Sequence, residues 1–299
     1  MGAGIAAGAD TGPISSQEAA FRAQRAERRR ASLVAFSILA VCLLAAAWVS
    51  EFYPSSLIAG APRIGEYFQR IAPHLELRHL LAGTETEGSL AFWFYRLDSW
   101  FLLILETANM AALGTLGGAL LALPLSFPAA RNLRAPNLVR IACRRGLEAM
   151  RTVPEIVFAL IFVWAFGVGA LAGILAIAVH TAGALGKQFA DAMENTEMRP
   201  WEGVFAAGGS WPQACRYAIL PAALPDLLST ALLRFEINIR SASVIGFVGA
   251  GGIGQELYQV ISFNNYEEVS AIIVLLIITV SCVDLISERL RRRVIEAVA

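Results

Sequence analysis

The sequence predicts an all-α fold, a polytopic membrane helix bundle with about six transmembrane helices. Three observations support that expectation. Of 299 residues, 57% are hydrophobic and 16% charged, and mean hydropathy is +0.58, whereas soluble domains carry about 25% charged residues. Apolar runs close to the length that crosses a bilayer, about 20 residues, recur along the chain. Arginines gather in some connections and are nearly absent from others.

Residues 1–31 form a small, polar, basic tail in which Arg22, Arg25, Arg28, Arg29 and Arg30 precede an apolar run over 32–50. A secretory signal would have such a basic lead, but the run is about 19 residues long and no short A-x-A site clearly follows, so a retained first span is expected. Within 32–99, the residues Ile64, Tyr67, Phe68, Ile71 and Leu75 recur at helical spacing. They predict an amphipathic helix in 62–82, either lying on the outer membrane interface or packed in an external loop.

Further spans are expected at 100–124, 148–167, 169–188, 226–248 and 269–287, inside a core of 100–290. The fifth is the weakest, because Arg234, Glu236 and Arg240 interrupt it. Gly114 with Gly118, and Gly169 with Gly173, are GxxxG pairs that let helix backbones approach closely. Six spans leave both termini on one side, and the Lys/Arg count says which. The first tail holds five, 125–151 six, 187–225 three and the tail after Glu288 four, against four in 51–99 and none in 249–268. Both termini, including the short tail 291–299, and the loop 189–225 are therefore expected in the cytoplasm of a multi-pass cell-membrane protein.

Several motifs that resemble chemistry lack its context. Cys42, Cys143, Cys215 and Cys282 lie far apart in or beside apolar stretches, with no metal-ligand spacing. Gly249, Gly251 and Gly254 spell G-x-G-x-x-G, but a charged span precedes them and a membrane span follows, so a tight external turn is expected rather than a dinucleotide site. Gly186-Lys187 is followed by Gln188, and Thr181 stands where a P-loop needs its first glycine. No HExxH, serine elbow or paired intramembrane aspartates occur. The chain is expected to be no enzyme and to bind no metal, and a net charge of zero gives no reason to expect nucleic acid.

Charges inside a span cost roughly 2.5–3.5 kcal/mol each at mid-bilayer, so Arg234, Glu236 and Arg240, with Asn238, should face the bundle interior or a wet cavity. Glu236 and Arg240 are one helical turn apart and should pair. Arg234, two residues before Glu236, then lies about 200° from it around the helix as a second cation, and guanidinium suits phosphoryl oxygens. A structural polar network is the alternative. His180, Thr181 and Glu155 are further polar residues that could face the same space, although core packing explains each as well.

The loop 189–225 contains Glu202, then Gly208 and Gly209, then Leu220-Pro221. It resembles the cytoplasmic loop of binding-protein-dependent ABC importer permeases, which reads E-A-A, three residues, G, nine residues, I-x-L-P. Gly203 and Val204 replace the two alanines and Ala218 the isoleucine, with the spacing kept. Stretches at Glu106–Leu133, Met150–Leu160, His180–Lys187 and Leu233–Gln255 are similar to the phosphonate-importer branch. The resemblance implies a type I importer permease fold in which Glu202, Gly208, Gly209, Leu220 and Pro221 form the ATPase-coupling loop, the last two ending the motif ahead of the next span. It also implies an extracytoplasmic substrate-binding protein, two ATPase subunits that hold the ATP and magnesium, and a second permease copy in a homodimer. The charges inside the span make Arg234, Glu236, Asn238 and Arg240, with His180, the expected pathway residues, and the resemblance implies phosphonate, phosphite or phosphate as cargo. A methionine-type permease and an ion-coupled secondary transporter are the alternatives; the latter would show inverted repeats and a carboxylate relay, which the sequence lacks.

Overall fold

The computed structural model describes residues 13–296, which fall into two compact units that divide between Gln69 and Arg70. Every regular element among the described residues is helical. In the N-terminal unit, α1 runs over Pro13–Val49, and its stretch Phe21–Val49 is long and apolar enough to cross a membrane. The helix therefore starts well before the apolar run; the Ala, Gln, Glu and Arg residues of 17–31 are good helix formers and simply extend it. The expected tail before Pro13 lies outside the described residues.

The amphipathic helix is shifted from the expected 62–82. Helix α2 covers Pro54–Ile71 and exposes Ile58, Ile64, Tyr67 and Phe68. Pro73 stops it, because the residue before a proline is disfavoured in the α region, and this leaves Leu75 in a stretch of turns. The short α3 (Leu90–Trp93) is capped by Ser89, whose Oγ accepts from the Phe92 N–H at 2.9 Å.

Helix α4 (Leu97–Ala129) buries Trp100, Ile104, Thr107, Ala111, Gly114 and Gly118 at spacings of three and four, which is one face of a helix. That face meets α7 (Ala170–Glu194) in the most extensive helix pair of the molecule. The two backbones touch where side chains are missing: a Cβ on Gly114 would come within 2.6 Å of Ile177, and one on Gly118 within 2.7 Å of Thr181. The second glycine pair behaves differently. Gly173 packs against Met110 and Ala250, but Gly169 is the residue before α7, with φ 144° and open space around it.

The expected third span is two helices. An amphipathic α5 (Asn137–Thr152) meets α6 (Glu155–Phe166) at an 85° bend. Pro154 lacks an N–H and pushes Val153 out of the helical region to ψ 124°. The last turn of α5 lies on α7, where Gly183 and Gly186 leave room for Arg151 and Leu147.

The expected fifth span is longer than 226–248. It runs without a loop from Trp211 to Val248, as α9 (Trp211–Ala214), a π-helical turn (Cys215–Ile219), α10 (Leu220–Ile245) and a 3₁₀ turn (Gly246–Val248). The glycines that follow make a tight turn as expected. Gly249, Gly251 and Gly252 have φ of 87°, 86° and 70°, and a Cβ on Gly246 would lie 2.6 Å from the Gln255 nitrogen. Thr107 Oγ1 accepts from the Ile253 N–H at 2.9 Å and fixes this turn to α4. It opens into α11 (Gly252–Ser262), followed by α12 (Tyr266–Glu296). At this end Arg96 pairs with Glu256 at 2.8 Å and Glu268 at 3.8 Å, and Tyr95 donates to Glu268 at 2.9 Å. Burial, then the Glu268 carboxylate, pushes the Tyr95 phenol above its ordinary pKa. Among the described residues, five helices thus meet the length and composition of a membrane span, or six if α5 and α6 count as one span.

Candidate functional site

Two groups of residues stand out, one at the end of the bundle formed by 129–152 and 194–216, the other halfway along it. At the first, α8 (Arg199–Ala206) is a two-turn helix seated by Trp201, which is buried, its ring centroid 5.1 Å from that of Phe205 and the planes tilted by 58°. Glu202 and Gly203 point away and are exposed. The helix ends in a Schellman turn: the Gly208 N–H bonds the Phe205 carbonyl and the Gly209 N–H the Val204 carbonyl, both at 2.9 Å. Gly208 sits at φ 83°, a conformation that L side chains rarely adopt. Gly209 is required for a different reason, since a Cβ there would lie 2.8 Å from the Val204 oxygen.

This element is held by hydrogen bonds that no local spacing announces. Trp211 Nε1 donates to the Leu133 carbonyl at 2.7 Å, and Asn132 Nδ2 to the Met193 carbonyl at 2.9 Å. Arg144 Nε caps the Ala129 carbonyl at 2.8 Å while its other nitrogen pairs with Glu194 at 2.7 Å. Glu194 also accepts from the Arg131 N–H at 2.9 Å. A cleft of about 590 Å³ opens here between Asn132, Arg134, Trp201, Glu202, Phe205 and Trp211.

Leu220 and Pro221 do not end a motif before the next span, contrary to expectation. They lie inside the continuous helix. Proline in a helix interior lacks a donor and clashes with the carbonyl four residues back; the π turn before it widens the ladder, so that the Leu220 N–H reaches the Cys215 carbonyl instead.

Halfway along the bundle, Asn238 is fully buried, and its amide donates to Thr115 Oγ1 at 2.8 Å and Thr181 Oγ1 at 2.9 Å. It ties α10 to α4 and α7. Glu236 and Arg240 pair at 2.8 Å, as their spacing predicts, on a face of α10 that also exposes Leu233, Ile237 and Val244. Arg234 is separate from that pair and half-buried; its Nε is inaccessible and has no hydrogen-bond partner. The charge acting on it is Glu155, at the start of α6. His180 places Nδ1 at 3.0 Å from the Val153 carbonyl, at the α5–α6 bend; a carbonyl only accepts, so Nδ1 bears the proton. The structure thus brings together Arg234, Glu155 and the bend that His180 braces, and keeps Glu236–Arg240 apart from them. The sequence had Glu155 only as one polar residue among several, and Arg144, Glu194, Asn132 and Trp211 gave no signal, because their partners are 15 to 78 residues away.

An all-helical bundle with a small exposed helix at one end and charged side chains in its midst defines the class, a polytopic membrane transport component. The chain belongs to the family of binding-protein-dependent transport system inner membrane components, whose model matches residues 122–296. It is 36% identical over 255 residues to a phosphite transport system permease protein, PtxC, of Stutzerimonas stutzeri, covering 85% of this chain and 86% of that one. It is 34% identical over 249 residues to a phosphate-import permease protein, PhnE, of Mycolicibacterium smegmatis, covering 83% of this chain and 43% of that one. The fold is similar to that of an inward-facing MetNI methionine ABC transporter, with TM-score 0.58 at 23% identity, over 67% of this chain and 98% of that one.

Proposed function

We propose that this chain is the membrane-spanning permease of an ATP-driven importer of phosphorus oxyanions: phosphonate, phosphite or phosphate. The observation that supports the coupling role best is α8, an exposed two-turn helix whose Glu202 and Gly208 match the ATPase-contacting loop of such permeases. The relatives' names supply the cargo class, and arginine inside the bundle suits an oxyanion. A separate ATPase hydrolyses ATP, and a binding protein delivers the anion at the opposite end. Eighteen of the 24 Lys and Arg residues lie in the two tails, 125–151 and 187–225, so the termini and α8 face the cytoplasm.

The chain works as a homodimer. One chain has one such loop, and the exposed Glu236–Arg240 face of α10 would be costly against lipid; a second copy covers it and encloses a pathway lined by Arg234, Glu236, Arg240 and His180. Asn238 serves that pathway by holding α10 in place. Expressed with the ATPase and binding protein of a phosphorus-oxyanion importer, the complex should copurify with the ATPase and take up phosphite in vesicles. Capture that survives replacement of both Glu202 and Gly208 would remove the coupling assignment, and absence of phosphite uptake would remove the cargo.

A further inference from the structure

Arg234 and Glu155 make an unusual pair. Each has a buried side-chain atom without a hydrogen-bond partner, Nε of Arg234 and Oε2 of Glu155. Glu155 is the carboxylate whose charge acts on Arg234, yet no nitrogen–oxygen ion pair of 4.0 Å or less joins them. Opposite charges inside a bundle gain most by closing such a gap. An acid in the first turn of a helix is usually explained by the helix dipole, but that interaction leaves the buried Oε2 unsatisfied.

The surroundings do not supply the missing partners. On α7, His180 is engaged with the Val153 carbonyl, and Thr181 bonds Asn238. On α4, Thr115 accepts from Asn238 and donates to the Ala111 carbonyl. On α10 itself, Glu236 is paired with Arg240, and Asn238, whose amide nitrogen is used by Thr115 and Thr181, keeps an inaccessible Oδ1 that bonds neither Arg234 nor any other group. On α12, Asp284 also has an inaccessible, unpartnered oxygen, but its charge is not among those acting on Arg234. The pair is held in this arrangement by the Pro154 bend, which starts α6 beside the middle of α7.

A ligand that satisfies both groups must accept hydrogen bonds at one edge and donate one at the other. A singly ionised phosphorus oxyanion does so, because it has P–O⁻ oxygens and an acidic P–OH. Sulfate near neutral pH has acceptors only. We propose that Glu155 is a specificity-determining residue of the pathway, accepting the acidic proton of a phosphorus oxyanion whose charged oxygens are held by Arg234. This rests on the transport reading above and adds a selection step to it. Arg234 alone would attract any anion; Glu155 repels those without a proton to give. A site built to hydrogen-bond a hydroxyl can reject analogues lacking it by up to about 10⁴-fold.

The test uses the purified permease–ATPase complex and its thermal unfolding midpoint at pH 6, near the second ionisation of a phosphate monoester, about 6. Phosphite and methylphosphonate, which have an acidic P–OH, should raise the midpoint; sulfate and dimethylphosphinate, which have none, should not. In Glu155→Gln the amide offers an N–H to a proton-free oxygen, so sulfate should now protect; in Arg234→Gln no anion should. Equal protection of the unmodified complex by sulfate, protection by no anion, or unchanged selectivity in Glu155→Gln would each overturn the proposal. If Glu155→Gln fails to assemble, the anion series on the unmodified complex decides the matter. Phosphite uptake by vesicles of the same preparation separates the two ideas: uptake without anion selectivity sinks only the role of Glu155, whereas selectivity without uptake sinks the transport reading.

Discussion

Replacing Gly208 by alanine is the most informative perturbation of the small helix at the bundle's end. Nothing lies within 4 Å of a Cβ built there, so the substitution makes no clash. Its whole cost is conformational, because φ is 83° and the left-handed region costs an L residue about 1–2 kcal/mol. That lowers the population of the Schellman turn by a factor of about 5–30. Asparagine tolerates this region far better than alanine. Gly208→Asn should therefore retain most ATPase capture and uptake, while Gly208→Ala should lose about 5-fold or more of both. Capture of the ATPase on an affinity column and phosphite uptake in vesicles measure the two effects. If asparagine is as damaging as alanine, the glycine serves close contact with a partner rather than the turn, and the reasoning fails.

Other predictions follow the packing. Gly118→Val should push α4 away from α7, since its Cβ would lie 2.7 Å from Thr181 and 2.9 Å from the Ala178 oxygen; overpacking of this kind costs about 1–3 kcal/mol. Gly117→Ala on the same helix should be neutral in thermal unfolding, because its Cβ would sit 3.6 Å from Ala178 in ordinary contact. Asn238→Ala should lower the unfolding midpoint by the loss of two hydrogen bonds within the bundle, each about 0.6 kcal/mol and at most about 1.7, and a midpoint unchanged from the unmodified protein would contradict the bracing role of Asn238. Arg144→Gln removes the cap on Ala129 and the pair with Glu194, which is a quarter exposed; after discounting for solvent, a loss of about 1 kcal/mol is expected. It should be seen as faster proteolysis near residues 129–152.

The sequence made the spans legible because lipid demands long apolar segments, and the centres of the expected runs fall inside the observed helices. Their ends were not legible. Residues 148–167 read as one apolar window, and only Pro154 marked the bend; hydropathy has no term for direction. The basic residues Arg140, Arg144, Arg145 and Arg151 were legible as part of a connection, but the amphipathic helix α5 on which they lie was not. The Glu236–Arg240 pair was predictable because its partners are four residues apart on one helix. The pairing of Arg144 with Glu194, 50 residues apart, and the bridge from Asn238 to Thr115, 123 residues apart, depend on how helices cross. Glu155 belongs to this second kind: its role beside Arg234 arises from the bend.

The proline after Leu220 changes how the two groups of residues can influence each other. Had it ended the loop, α8 would be linked to the span by flexible chain, and movement at one end would dissipate there. Instead the helical path is unbroken from Trp211, itself hydrogen-bonded to Leu133, through the π turn to Arg234, Asn238 and Arg240. Helices transmit displacement as stiff rods, while sharp bends occur at identifiable defects such as proline and π bulges. A force applied at α8 thus meets two defects in the rod, the π turn with Pro221 at 215–221 and then Pro225, before it reaches the charged side chains. Beyond that point Asn238 binds α10 to α4 and α7, so α10 must move together with them or break two buried hydrogen bonds.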